Sequence, residues 1–121
     1  KEGKLLTNSE PGLASLFRAS IQPYMINWIQ YNPSEEIVKL HIPILIVQGE
    51  TDIQVDINNA FELADACPKA HVKIIKGMNH ALKTAELERE KNFATYSDPN
   101  LPVVQNLLDE IQTFISIMVM R

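Results

Sequence analysis

Two short motifs in this chain place an acid and a base in matching positions, Gly49-x-x-Asp52 and Gly77-x-x-His80. A buried aspartate that accepts the Nδ1–H of a histidine fixes the tautomer of the ring, and it stabilises the imidazolium formed when Nε2 takes a proton. Such a pair can do general acid–base work, and beside a nucleophile it can serve acyl transfer. The plainer alternative is that Asp52 caps a turn and His80 decorates a loop. What separates the two is whether the chain must bring both residues to one place.

Each motif follows a segment that reads as a strand. Ile44-Leu45-Ile46-Val47 is a continuous, mostly β-branched apolar run, entered through Pro43 and left through Gly49. A strand apolar on both faces is an inner strand of a parallel sheet covered by helices, and proline suits its first position. This predicts a strand at about 44–48 and a sharp turn at Gly49 that presents Asp52. Asp56 can then cap a helix over 56–67 whose apolar face is Ile57, Ala60, Phe61 and Ala64, ended by Cys67-Pro68. His71 to Lys76 alternates partly and predicts a second strand at 71–76, nearer the sheet's edge. Strand, helix and strand make a right-handed parallel βαβ unit. Its strands end on one side, so Asp52 and His80 share the carboxyl edge, where ligands gather in open α/β sheets. The fold class is therefore α/β.

The rest of the chain reads as helices around this unit. Residues 1–10 form a lead-in loop. Helical spacing over 12–31 predicts two short helices meeting near Gln22-Pro23, the second carrying Ile21, Tyr24, Met25 and Trp28. That stripe suits packing on a core better than lining an apolar pocket. A helix over 33–40 has Ser34 as a possible cap and Glu35 and Glu36 in its first turn. Residues 85–91 read as a charged, solvated helical turn, and Tyr96 to Pro102 as a turn-rich loop. A long helix over 102–119 carries Val104, Leu107, Leu108, Ile111, Phe114, Ile115 and Met118, a stripe wide enough to cover one side of a sheet.

Composition narrows the function classes. A length of 121 residues fits one domain, and 45% apolar with 21% charged residues is ordinary for a globular protein. A net charge of −4 with no basic stripe argues against a nucleic-acid partner. The single cysteine, Cys67, offers neither a disulfide nor metal-ligand spacing and reads as an inert thiol. No apolar run approaches a membrane span, and no signal-peptide core follows Lys1-Glu2-Gly3-Lys4. A metal site from His41, His71, His80 and Asp52 fits poorly, because His41 and His71 precede their strands and fall at the opposite sheet edge. No cofactor is implied. The chain does not begin with Met, which suggests a piece of something longer.

In order, strand–Gly49-x-x-Asp52-x-x-Val55, helix, strand–Gly77-x-x-His80 resembles the C-terminal part of an α/β-hydrolase, with serine esterase or lysophospholipase-like members as the nearest look-alikes. The match covers roughly residues 33–118. The resemblance implies a partial α/β-hydrolase fold, with Asp52 as the triad acid and His80 as the general base. It also implies that residues 1–32 lead out of the family's variable cap and that 33–121 belong to its core. The substrate would be a small-molecule ester or related acyl compound. The departure from the family is as informative. Its nucleophile elbow is Gly-x-Ser-x-Gly, and none of Gly3, Gly12, Gly49 and Gly77 flanks a serine in that way. No oxyanion-hole loop precedes the first strand. The expectation is thus the acid–base portion of a serine hydrolase whose nucleophile lies on an N-terminal part not in this chain, inactive by itself. The competing expectation is a non-catalytic binding or interaction module on a similar scaffold. A sheet this small also predicts self-association, through the Ile44–Gln48 strand edge or the lead-in helices.

Overall fold

A computed structural model of the chain describes residues 4–6 and 17–120. The elements in order are α1 (Gln22–Trp28), α2 (Pro33–Ile37), β1 (Leu45–Gly49), α3 (Ile57–Ala66), β2 (His71–Ile75), α4 (Arg89–Ala94) and α5 (Gln105–Val119). The architecture is mixed α/β. β1 and β2 pair in parallel, with Leu45 opposite His71 and Gly49 opposite Ile75, so both strands lie within a residue of the ranges expected from the sequence.

Strand alternation divides the sheet's two faces. On one, Val47 and Ile75 pack with Met78, Val104 and Leu107. On the same face Lys73 pairs with Glu110 at 3.0 Å, and His71 meets the Phe114 ring edge-on at a centroid distance of 5.6 Å. Outside the strands and their turns, the partners on this face are Leu107, Glu110 and Phe114 of α5 and Val104, the residue just before it, so α5 covers this face. Ile46, Gln48, Val72 and Ile74 are left for the face under α3. Asp56 caps α3 as expected, its carboxylate accepting the Asn58 N–H at 2.8 Å. The inward stripe of α3 differs from the expectation at one position. Ala60 and Cys67 are buried and Leu63 and Ala64 half-buried, an i, i+3, i+4, i+7 set, whereas Phe61 is exposed.

Five further expectations are corrected. The first helix of the 12–31 pair does not extend through 17–21, which form a bend and turn; residues 12–16 lie outside the described residues. Pro23 lacks an N–H and belongs in a first turn, so the helix starts there. The buried Gln22 side chain pins the lead-in, accepting the Leu6 N–H at 2.6 Å and donating to the carbonyls of Leu6 and Phe17. Tyr24 and Trp28 do not pack on a core: they are 68% and 60% exposed and stack on each other. At α2 the cap is Asn32, not Ser34, because Pro33 takes the first helical position and the Asn32 side chain accepts the Ser34 N–H at 3.1 Å. Beyond Ile37, i→i+3 bonds from Lys39 and Leu40 tighten the chain into a turn instead of a full helical continuation. The charged segment at 85–91 is helical only from Arg89, because Glu88 is extended, and the helix it begins carries a fully buried Asn92.

The α5 stripe is wider than the sheet beneath it. Leu107 is buried and Val104, Phe114 and Met118 are half-buried, but Leu108, Ile111 and Ile115 are exposed. Two strands lie only about 5 Å apart, while a helix with its side chains is about 10 Å across. β1, expected as an inner strand, has β2 on one side and no strand on the other among the described residues, and Leu45 to Gln48 are half-buried. No helix is long and apolar enough to cross a membrane among the described residues.

Candidate active site

The carboxyl ends of the two strands are locked together before either functional side chain is reached. A Cβ on Gly49 would stand 2.1 Å from the Met78 carbonyl oxygen, so only glycine allows β1 to pass the loop after β2. The contact continues as hydrogen bonds: Glu50 N–H donates to Ile75 O and Thr51 N–H to Met78 O, each at 3.0 Å. Gly77 has φ +66°, the left-handed conformation that turns the chain after β2, and its N–H donates to Glu50 Oε2 at 3.1 Å. Each motif glycine thus shapes the turn that delivers the residue three positions on.

Asp52 is held from both oxygens. Oδ1 accepts the Gln54 N–H at 2.8 Å and the Val55 N–H at 3.0 Å, and Oδ2 accepts Gln48 Nε2 at 3.2 Å. The remaining partner of Oδ2 is His80 Nδ1 at 2.9 Å. Burial pushes the Asp52 carboxyl upward, but the Val55 and Gln54 N–H groups and the His80 ring outweigh it, and the balance lies below its ordinary value. At neutral pH the group is a carboxylate and can only accept. His80 Nδ1 therefore carries the proton, and Nε2 is left as the basic nitrogen. The Asp52 side chain is 7% exposed and that of His80 45%. The acid is sequestered and the base is open.

A depression of about 200 Å³ adjoins the pair, walled on its apolar side by Val47, Val55, Met78 and Leu82. The two residues singled out from the sequence are brought together; the other two histidines are not. His71 opens β2 and His41 precedes β1, so both sit at the amino edge, where they flank a separate depression with Lys69 and Met118. Among the described residues no group of three or more His, Cys, Asp or Glu could hold a metal ion. No Ser or Thr hydroxyl is hydrogen-bonded to His80 among them.

A second set of residues around the pair was not legible in the sequence. Asn79 and Asn92 are both buried, and the Asn79 amide donates to Asn92 Oδ1 at 3.3 Å and to Thr95 Oγ1 at 2.7 Å. Lys83 Nζ reaches over the end of α4 to the carbonyls of Thr95, at 2.9 Å, and Asp98. The available signal was weak. Asn79 adjoins His80 in the chain, but Asn92 lies in a run of charged residues that masks its burial.

Depression of the Asp52 pKa carries a stability consequence. A carboxyl more acidic in the folded chain than in the unfolded one contributes stability that is complete above the unfolded value and is lost as pH falls through the folded one. Below about pH 4 the chain is therefore expected to lose stability, and Asp52→Asn is expected to flatten that part of the profile. Urea midpoints measured from neutral to acid pH would test it; equal acid sensitivity in both proteins would show that Asp52 is not the group responsible.

No family model matches the chain, and no solved structure matches it.

Proposed function

We propose that Asp52 and His80 are the acid and general base of a serine-hydrolase site that cleaves carboxylic esters or related acyl bonds. On this reading the serine lies outside these 121 residues, and residues 33–121 form part of an α/β-hydrolase core. The observation that carries the reading is the 2.9 Å contact between His80 Nδ1 and a buried Asp52 carboxylate at the strands' carboxyl edge. In the proposed reaction His80 Nε2 takes the serine proton as the oxygen attacks the acyl carbon. The imidazolium, stabilised by Asp52, returns that proton to the departing oxygen, and water repeats the cycle on the acyl-enzyme. The test is whether sequence on the amino side of Lys1 in the gene encodes Gly-x-Ser-x-Gly. If it does, the longer protein should take a fluorophosphonate on that serine, with labelling lost in His80→Ala. Labelling at the same rate without His80 would defeat the assignment.

The second reading, a non-catalytic binding module, draws support from the solvent-facing Tyr24–Trp28 stack, at 6.5 Å between ring centroids. A longer protein without the serine motif would favour it.

We also propose that the chain self-associates. β1 has one strand edge without a partner among the described residues, and Leu108 and Ile115 of α5 remain exposed. An open edge beside apolar surface is a template for pairing, and symmetric dimers are the commonest outcome. Sedimentation over a dilution series should show a concentration-dependent mass. A monomer at every concentration would refute it.

A further inference from the structure

Asn92 is the one buried residue of α4, a six-residue helix, and its side chain is fully enclosed at 0% exposure. Such a helix has little apolar surface with which to dock, so its attachment is polar. The Asn92 amide donates to Thr51 O at 2.8 Å and to Glu86 O at 2.6 Å, while its oxygen accepts from Asn79 Nδ2. Thr51 is joined by a peptide bond to Asp52, and Asn79 to His80. One side chain therefore holds the backbone beside the acid and the side chain beside the base.

The far end of this brace is also fixed. Asn79 Oδ1 accepts the N–H groups of Ala81 and Lys83 at 3.1 Å each, folding the loop just after His80. In that loop Leu82 is held at φ 62°, an uncommon conformation for a residue with a side chain. Thr95, at the end of α4, holds Asn79 through its hydroxyl at 2.7 Å and donates that hydroxyl to Asn92 O. Asparagine fits the Asn92 position because two donors and an acceptor are all used. Aspartate would lack the donors, and leucine would lack everything but the shape. An amide kept only for the stability of α4 could be satisfied within that helix, whereas this one bonds to three other segments, two of which carry the pair.

We propose that Asn92 is a positioning residue that sets the Asp52–His80 distance, with Asn79 as its contact on the histidine side. The proposal rests on the reading of that pair as acid and base, since it concerns how the pair is kept in register. Functional constellations tolerate displacements of only about 0.5 Å. If Thr51 shifts, Asp52 moves away from Nδ1, and the ring loses what selects its tautomer.

The test reads the tautomer directly in the full chain. At about pH 9, where an ordinary histidine is neutral, ring ¹⁵N shifts should show His80 mainly as the Nδ1–H form, assigned by its disappearance in His80→Ala. Asn92→Ala should turn that majority into a minority, towards the Nε2–H form favoured by an unconstrained imidazole. Thr95→Val, a milder and shape-conserving change, should move it part of the way. Ile37→Val, which trims a buried residue of α2 away from the site, should leave it unchanged. An unchanged tautomer in folded Asn92→Ala overturns the proposal, as does an equal change in Ile37→Val. If Asn92→Ala does not fold, an unchanged Thr95→Val overturns it. Hydrolysis separates this proposal from the one it rests on: tautomer loss in the brace variants alongside normal turnover in His80→Ala keeps the brace and removes the hydrolase.

Discussion

In a form of the protein that hydrolyses an acyl substrate, replacing His80 by alanine is expected to lower kcat by about 10⁴-fold or more. The residue would take a proton from the nucleophile in one step and return it in the next, so no single step could proceed normally without it. Asp52→Asn is expected to cost about 10⁴-fold by a different route. The amide fills the same space but can present an N–H to Nδ1, which favours the tautomer that leaves Nε2 protonated and unable to act as a base. His41→Ala and His71→Ala provide the contrast, because both histidines sit at the amino edge of the sheet, away from the pair. Their kcat values should stay within about twofold of the parent, since neither makes a transition-state contact. Steady-state kinetics on the four variants would decide it. A parent-like kcat for His80→Ala rules out the assignment whatever the other three do.

Gly49→Ala is expected to be the most damaging small substitution for the fold. The added Cβ would lie 2.1 Å from Met78 O and 2.8 Å from Met78 C, and both are backbone atoms that cannot rotate aside. Relief requires the end of β1 to separate from the loop after β2, which breaks the Thr51 N–H to Met78 O bond. An overpacked site of this kind costs about 3 kcal/mol, a large share of the stability available to a small domain. Gly77→Ala is the informative comparison. A Cβ there meets nothing within 4 Å, so only its φ of +66° opposes the change, a cost of about 1 kcal/mol. Urea denaturation should rank the two clearly. Equal losses would mean that the close approach at Gly49 does not constrain the strand end.

The contrast between these glycines bears on what could be read from the sequence. Spacing showed that a turn follows each strand and that each turn leads to a chemically useful residue. It could not show that one glycine answers to a crowded neighbour and the other to a backbone angle, because the neighbour arrives from a different segment. The strands were legible for the same local reason: Ile44 to Val47 and His71 to Lys76 carry their signal within a few residues. Helical spacing misled where burial depends on distant partners. Tyr24 and Trp28 have the periodicity of a core-facing stripe, yet both stay mostly exposed and stack on each other. Phe61 lost its inward place to Leu63, a rotation that only the position of the sheet decides. Asn92 is the extreme case: a polar residue among charged ones, enclosed because the turn before Asp52, the loop around Asn79 and the carbonyl of Glu86 converge on it.

Trp28 is the only tryptophan in the chain, and 60% of it faces solvent. An indole already in water changes its surroundings little when the chain unfolds. Its emission is therefore a poor optical gauge of folding and a good one of contact. Anything that settles on α1, another copy of the chain included, would move that indole into a drier setting and shift its light to the blue.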